Sequence, residues 1–355
     1  MEAGLRLTAR NGVCYPCGEA AGSGEADRMT AAQTTPTSGP GRIDAIDVAR
    51  GCALVAMAIY HFTWDLEFFG HVPLGMTGIG GWKLFARCIA SSFLFLAGVS
   101  LFLAHGRGIR WQGFWRRFAM VAGAALAISA ATYFFVPDAF IFFGILHQIA
   151  LASLLGLAFL RLPAWAVLVA ALAVIAAPHY FRSALFDHPW WWWLGLSEAT
   201  PRSNDFVPLF PWFGVVLIGV ATAKLAKASG LLARLAQVRI GGAARPLALA
   251  GRHSLAFYLI HQPVLIACVW AYSQVFPATP RFPVLACEVS CKDTRDSAFC
   301  ARYCDCLKVT LEGENALEGE SMSNPGPELR TRLAEVAGMC TAEIDAGVPE
   351  AGGAQ

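Results

Sequence analysis

Seven stretches of the chain are predominantly apolar: 46–66, 87–104, 118–136, 139–160, 163–180, 208–226 and 254–275. Each approaches the roughly 20 residues that a helix needs to cross about 30 Å of hydrocarbon. Helices are the default spanning structure because every backbone group is satisfied within its own segment. The pattern therefore predicts an all-α polytopic membrane helix bundle of about seven transmembrane helices, over residues 42–275. Tight turns are expected at Pro137-Asp138 and at Arg161-Leu-Pro163, and Pro263 is expected to kink the last span just after His261.

On either side of this region the pattern changes. Residues 1–41 are rich in Gly, Ala, Ser, Thr and Pro with no apolar core, which reads as disorder. Met29 offers an alternative start, and Cys14 and Cys17 form a half-site without a partner pair. Residues 276–355 are polar and carry twin pairs, Cys287-Glu-Val-Ser-Cys291 and Cys300-Ala-Arg-Tyr-Cys304, followed by Cys306 and Cys340. Cysteines four apart share one helix face, so a small helical hairpin would bring the two pairs together as disulfides, with Cys306–Cys340 as a third bridge. A zinc site is the competing use of the same thiols, although no metal is expected.

Composition fits the membrane reading, with 56% hydrophobic and only 15% charged residues against about 25% charged in soluble domains. The net charge of +2 gives no reason to expect a nucleic-acid partner. The basic residues instead set direction. Arg107, Arg110, Arg116 and Arg117 lie in one connection and Lys224, Lys227, Arg234, Arg239, Arg245 and Arg252 in another, whereas 67–86 and 181–207 are poor in them. The positive-inside rule puts the rich loops and the N-terminus in the cytoplasm, and seven crossings put the C-terminus in the periplasm of an inner membrane. Trp190 to Trp193 then fall at the outer interface, as an aromatic anchor or a sugar-stacking platform.

Ionisable groups at membrane depth cost a few kcal/mol each and persist where they pair, face a cavity or do chemistry. His61 and Asp65 share a face near the outer end of the first span, suiting either an ion pair or a carboxylate-oriented base for proton or acyl transfer. His71 sits in the loop beyond. His147, Gln148 and His261 lie inside later spans and could line a polar path. Arg50, Arg116, Arg117 and Arg252 mark the cytoplasmic ends, where they serve as topology determinants or as ligands for phosphates. Asp205 is a weaker candidate for holding an acceptor.

Four motifs together resemble a known family: Asp47-x-x-Arg50-Gly51-x-Ala53, Phe93-x-Phe95-x-x-Gly98-x-Ser100, Gly144-Ile-Leu-His147-Gln148-Ile and Ser254-Leu-x-x-Tyr258-x-x-His261. They are similar to the heparan-alpha-glucosaminide N-acetyltransferase family, within the wider membrane acyltransferases. The resemblance implies an acyl-CoA-dependent acyltransferase, with acetyl-CoA used from the cytoplasmic side and a sugar or glycan acylated outside. It also implies a catalytic His in the first outer loop, for which His61 and His71 both stand as candidates, with Asp65 orienting. The Arg residues would then hold the CoA phosphates. Where the family has Gln-Arg this chain has His147-Gln148, and the large lumenal region is missing, which argues against heparan sulfate as the acceptor. Two other classes stay open: a small-solute or proton-coupled transporter with a histidine relay, and a structural or redox protein centred on the tail. The bilayer is the one certain partner; a homodimer is admitted by the sequence.

Overall fold

The computed structural model describes residues 43–278, 281–292, 294–314, 316–317 and 326–346. The readings made for residues 1–41, including Cys14, Cys17 and Met29, lie outside the described residues. The described chain is helical. Helices α1 (Asp44–Phe68), α2 (Gly80–His105), α3 (Trp111–Phe135), α4 (Ile145–Gly156), α5 (Ala164–Phe181) and α6 (Leu209–Ala228) follow in order. Then come the short α7 (Leu231–Gln237) and α8 (Arg245–Arg252), and α9 (Ser254–Val275). All of these except α4, α7 and α8 are long and apolar enough to cross a membrane, and the stretch Ile145–Leu160 is a shorter apolar helix. The protein is therefore a multi-pass membrane protein.

α6 is the hub, buried between α2 and α5. Its approach to α2 depends on two glycines facing each other's backbone: a Cβ on Gly98 would overlap the Val216 carbonyl, and one on Gly219 the Phe95 carbonyl. The same device joins α1 to α8. Gly51 meets the Leu247 carbonyl and Gly251 meets that of Asp47, so the two helices run antiparallel there. Lipid offers no hydrophobic drive for helix association, and small residues that let backbones approach supply it through close packing.

The fourth span departs from its expected range of 139–160. Its helix begins only at Ile145, and Leu146 packs against Ala124 and Ala125 of α3, about 15 Å short of the end of that helix. The preceding chain descends beside α3 without helical structure. Ile141 is held there by its N–H to Thr132 Oγ1 at 3.0 Å and by the Ser129 hydroxyl on its carbonyl at 2.6 Å. A second non-helical segment lines it, with Asn204 N–H donating to the Ala139 carbonyl and Val207 N–H to that of Phe143. Irregular backbone at this depth is tolerated because protein surrounds it and supplies the partners. At the other end, Lys224 caps the carbonyls of Leu160 and Leu162.

The tail forms α10 (Val284–Cys291), α11 (Ser297–Gly313) and α12 (Pro327–Ala346). All six of its cysteines are paired: Cys287–Cys304 and Cys291–Cys300 nest between α10 and α11, and Cys306–Cys340 ties α11 to α12. The pairing displaces the zinc reading. A small core of Phe282, Leu307, Leu311, Leu329 and Val336 sits between the helices. Asp296 caps α11 by accepting the N–H groups of Ala298 and Phe299, which hold its carboxyl below the ordinary range. The tail meets the spanning region at the loop after α1, where Ala286 lies directly over Gly75, a residue at φ +88°.

Candidate functional site

Two polar clusters lie along α1. At its first turns Asp47, buried, accepts from Arg50 at 2.9 Å and faces Arg252 Nε at 3.5 Å. Arg252 also bonds Asp44 at 2.8 Å, and the Arg50 guanidinium reaches the Ser100 hydroxyl of α2. Two of the four phosphate candidates are thus already engaged by carboxylates. Arg116 is exposed.

Arg117, exposed like Arg116, differs from Arg50 and Arg252 in its partners. It lies in α3 and, among the described residues, makes no hydrogen bond or ion pair, while Arg50 bears on it electrostatically. It lines a groove between α2 and α3 of about 620 Å³, with His105, Arg110, Trp111 and Gln112. The groove continues as a narrow slot along α4, lined by Ala97, Leu101, Val121, Ala150 and Ser153. The groove is wide and basic and suits an anion, whereas the slot beside it holds only about 20 Å³.

The second cluster lies further along α1, where α9 packs beside it. The rings of His61 and His261 stand edge to face at 5.0 Å between centroids. The structure thus brings together two residues 200 positions apart. His261 Nδ1 lies 2.8 Å from the Tyr258 carbonyl. Only an N–H can bond there, so Nδ1 carries the proton and Nε2 carries the lone pair. That Nε2 is buried and has no partner among the described residues.

Asp65 does not orient His61, as the one-turn spacing suggested. Its Oδ1 instead accepts from Gln262 Nε2 at 2.6 Å, while Asp65 Oδ2 and Gln262 Oε1 are buried without partners among the described residues. The spacing of four puts His61 and Asp65 on one face, but the longer reach of Gln262 from α9 captures the carboxylate. His61 itself makes no hydrogen bond among the described residues and packs against Tyr60 and His261.

The remaining candidates are apart from this cluster. His71 bonds the Ser273 hydroxyl at 2.8 Å and packs on Tyr272, at the tail end of α9. Its loop is fixed by buried Glu67, which accepts the N–H groups of Gly75 and Thr77. His147 accepts from Gly144 N–H through Nδ1 and meets Ser129 Oγ through Nε2, so both nitrogens are used locally. Gln148 is fully buried, and neither amide atom has a partner among the described residues. Asp205 accepts the Ile145 N–H at 2.8 Å, closing the start of α4, and lies near the Tyr258 side chain.

Tyr258 stands in the fourth motif, but sequence reasoning gave it no role. Its carbonyl sets the tautomer of His261 while its side chain lies near Asp205. The available sign was its place three residues before His261, one turn away on the same face. Outside the bundle, Asp187 organises the Trp-rich loop. The Ser197 hydroxyl and the N–H groups of Ala199 and Glu198 hold its carboxyl low, and its carbonyl accepts from the Trp192 indole.

The chain matches the family model described as heparan-alpha-glucosaminide N-acetyltransferase, catalytic, over residues 42–263. This covers more than half of the chain, and the chain belongs to that family. The match takes in both polar clusters and leaves out the tail. No curated protein and no solved structure matches the chain.

Proposed function

We propose that this member of the family is a membrane acetyltransferase that takes an acyl group from cytoplasmic acyl-CoA and passes it to an amine or hydroxyl of an extracytoplasmic sugar. The observation that carries the reading is the pair of dissimilar sites in one bundle. A basic groove holds Arg117 without a carboxylate partner, and a histidine cluster nearer the tail end presents unpartnered acceptor atoms. The first suits phosphates, the second a nucleophile that must lose a proton.

In this reading Arg117 and Arg110 meet the donor phosphates, with Arg116 at the mouth. Arg50 and Arg252 hold α1, α2 and α8 together around Asp47. His61 and Asp65 belong to the reacting cluster, and His71 lies on the acceptor's path at the tail end. Two independent features support a cytoplasmic N-terminus and a periplasmic tail: the Arg- and Lys-rich connections, and three disulfides, which persist in oxidising compartments.

Purified full-length protein in liposomes, given labelled acetyl-CoA and amino sugars, should move label to the sugar. Solute flux with no label on protein or sugar would favour the transporter reading instead.

A further inference from the structure

Resting on that transfer reading, we infer that Ser273, which lies beyond the matched region ending at residue 263, is a positioning residue for the reaction. It holds the His71 ring in one tautomer, with the hydrogen on Nε2 and the lone pair on Nδ1.

The backbone of His71 is set first. α1 is capped at Phe69, and the next two residues close its last turn. Gly70 N–H donates to the Glu67 carbonyl at 3.0 Å, and His71 N–H to that of Leu66 at 2.8 Å. This pair of bonds calls for a left-handed residue just after the cap, and Gly70 supplies it at φ +78°. His71 is thereby fastened to the end of the helix. The Glu67 side chain ties down Gly75 and Thr77 further along, which keeps the segment in place.

The side chain is set from α9. Val269 is buried and Ser273, one turn on, is half-buried, whereas Tyr272 and Gln274 on either side of it are exposed. Val269 and Ser273 thus share the face that α9 turns toward the protein. The Ser273 hydroxyl lies 2.8 Å from the Val269 carbonyl and 2.8 Å from His71 Nε2. A hydroxyl has one hydrogen and two lone pairs, and a carbonyl only accepts. Both contacts are hydrogen bonds only if the hydroxyl donates to Val269 and accepts from an N–H at Nε2. With the opposite tautomer, two lone pairs would face each other at one of the two contacts. Tyr272 closes on the edge of the same ring, 5.2 Å between centroids, and limits its rotation.

The consequence is chemical. Removing a proton from an acceptor and taking up an acyl group both go through the nitrogen of a neutral imidazole that has no hydrogen. In His71 that nitrogen is Nδ1, which makes no hydrogen bond among the described residues. His61, the other histidine that the resemblance admits for this role, has no hydrogen bond among them on either nitrogen, so nothing sets its tautomer.

The test compares wild type, Ser273→Ala and Ser273→Thr as full-length protein in liposomes. Isotope-labelled ring nitrogens, assigned with His71→Gln, report the tautomer by nuclear magnetic resonance at about pH 8, where imidazoles are ordinarily neutral. Wild type and Ser273→Thr should carry the hydrogen on Nε2, and Ser273→Ala should show both forms. With labelled acetyl-CoA and amino sugars, Ser273→Ala should lose on the order of 10- to 10²-fold in kcat, with donor KM and thermal unfolding unchanged. Ser273→Thr keeps the hydroxyl and should restore the rate. A wild type that transfers label while carrying the hydrogen on Nδ1, or Ser273→Ala within about twofold of it, overturns the positioning role and leaves the transferase reading standing. A wild type that transfers nothing overturns both.

Discussion

Asp47 and Asp65 lie on the same helix, and each meets a residue of the α8–α9 segment. Both oxygens of Asp47 are engaged, one by Arg50 and one by Arg252. Among the described residues Asp65 uses one oxygen, on Gln262, and its other oxygen is buried without a partner. Native proteins rarely leave such atoms unpaired, and the exceptions call for a reason. The contrast separates two kinds of buried charge in one bundle: the first is mutually satisfied and holds helices together, and the second is incomplete and waits on something that arrives. Family membership does not make this distinction, since both aspartates fall in the matched region.

The comparison can be broken most directly at its paired half. Removing Asp47 takes the shared carboxylate from two guanidinium groups at the α1–α8 contact, leaving Arg252 on Asp44 and Arg50 on the Ser100 hydroxyl. Breaking a buried pair costs about 3–5 kcal/mol, and the exposure of Arg252 lowers the expectation for Asp47→Ala to about 2–3 kcal/mol. Thermal unfolding in detergent checks it, and an unchanged midpoint would show that the lower cluster is ornamental.

The next effect concerns which arginine is spoken for. Arg117→Ala should weaken coenzyme A binding roughly tenfold, about 1.4 kcal/mol, whereas Arg252→Ala should leave it within a factor of two. Titration calorimetry, or quenching of Trp111 in the groove, reads both. Equal losses would erase the difference between an engaged and an open arginine.

A smaller effect is expected at Gln148, whose amide has no partner among the described residues. Replacing an unsatisfied polar group with an apolar one of similar size is close to neutral or mildly stabilising. Gln148→Leu should therefore shift stability by less than about 1 kcal/mol, measured by the same thermal unfolding. A loss above about 2 kcal/mol would mean that the amide is bonded after all.

The smallest effect lies in the tail, where the ion pairs among the described residues lie near the surface. Glu314 is held low by Arg332, and Asp296 by the N–H groups at the start of α11. Folded values below the unfolded ones stabilise the tail above the ordinary carboxylate range, and this is lost as pH falls through the lowered values. Hydrogen exchange in α11 and α12 should quicken slightly below about pH 4 and stay flat between pH 6 and 8.

Much of this architecture was legible in the sequence because lipid demands long apolar runs, and six of these became spanning helices at nearly the expected places. The fourth was misjudged because hydropathy records apolarity and not backbone shape. Phe140-Ile-Phe-Phe143 is as greasy as any helix, but its backbone bonds go to Thr132, Ser129 and Val207. The tail bridges were legible from spacing, though their nesting was not. The individual histidines could be chosen one by one, but their meeting could not. Nothing in a linear chain says that His61 and His261 share a height in the membrane, or that Gln262 outreaches His61 for Asp65. Those facts arise from the antiparallel glycine contact of α1 with α8, which sets the register of everything in α9.

The late start of α4 bears on how the protein is made. A segment that begins half-way down cannot rest in the bilayer by itself, since its first turn is closed by Asp205 and its approach is lined by Asn204 and Val207. All three emerge from the ribosome some sixty residues afterwards. The bonds that close this segment can therefore form only once residues 204–207 have been made.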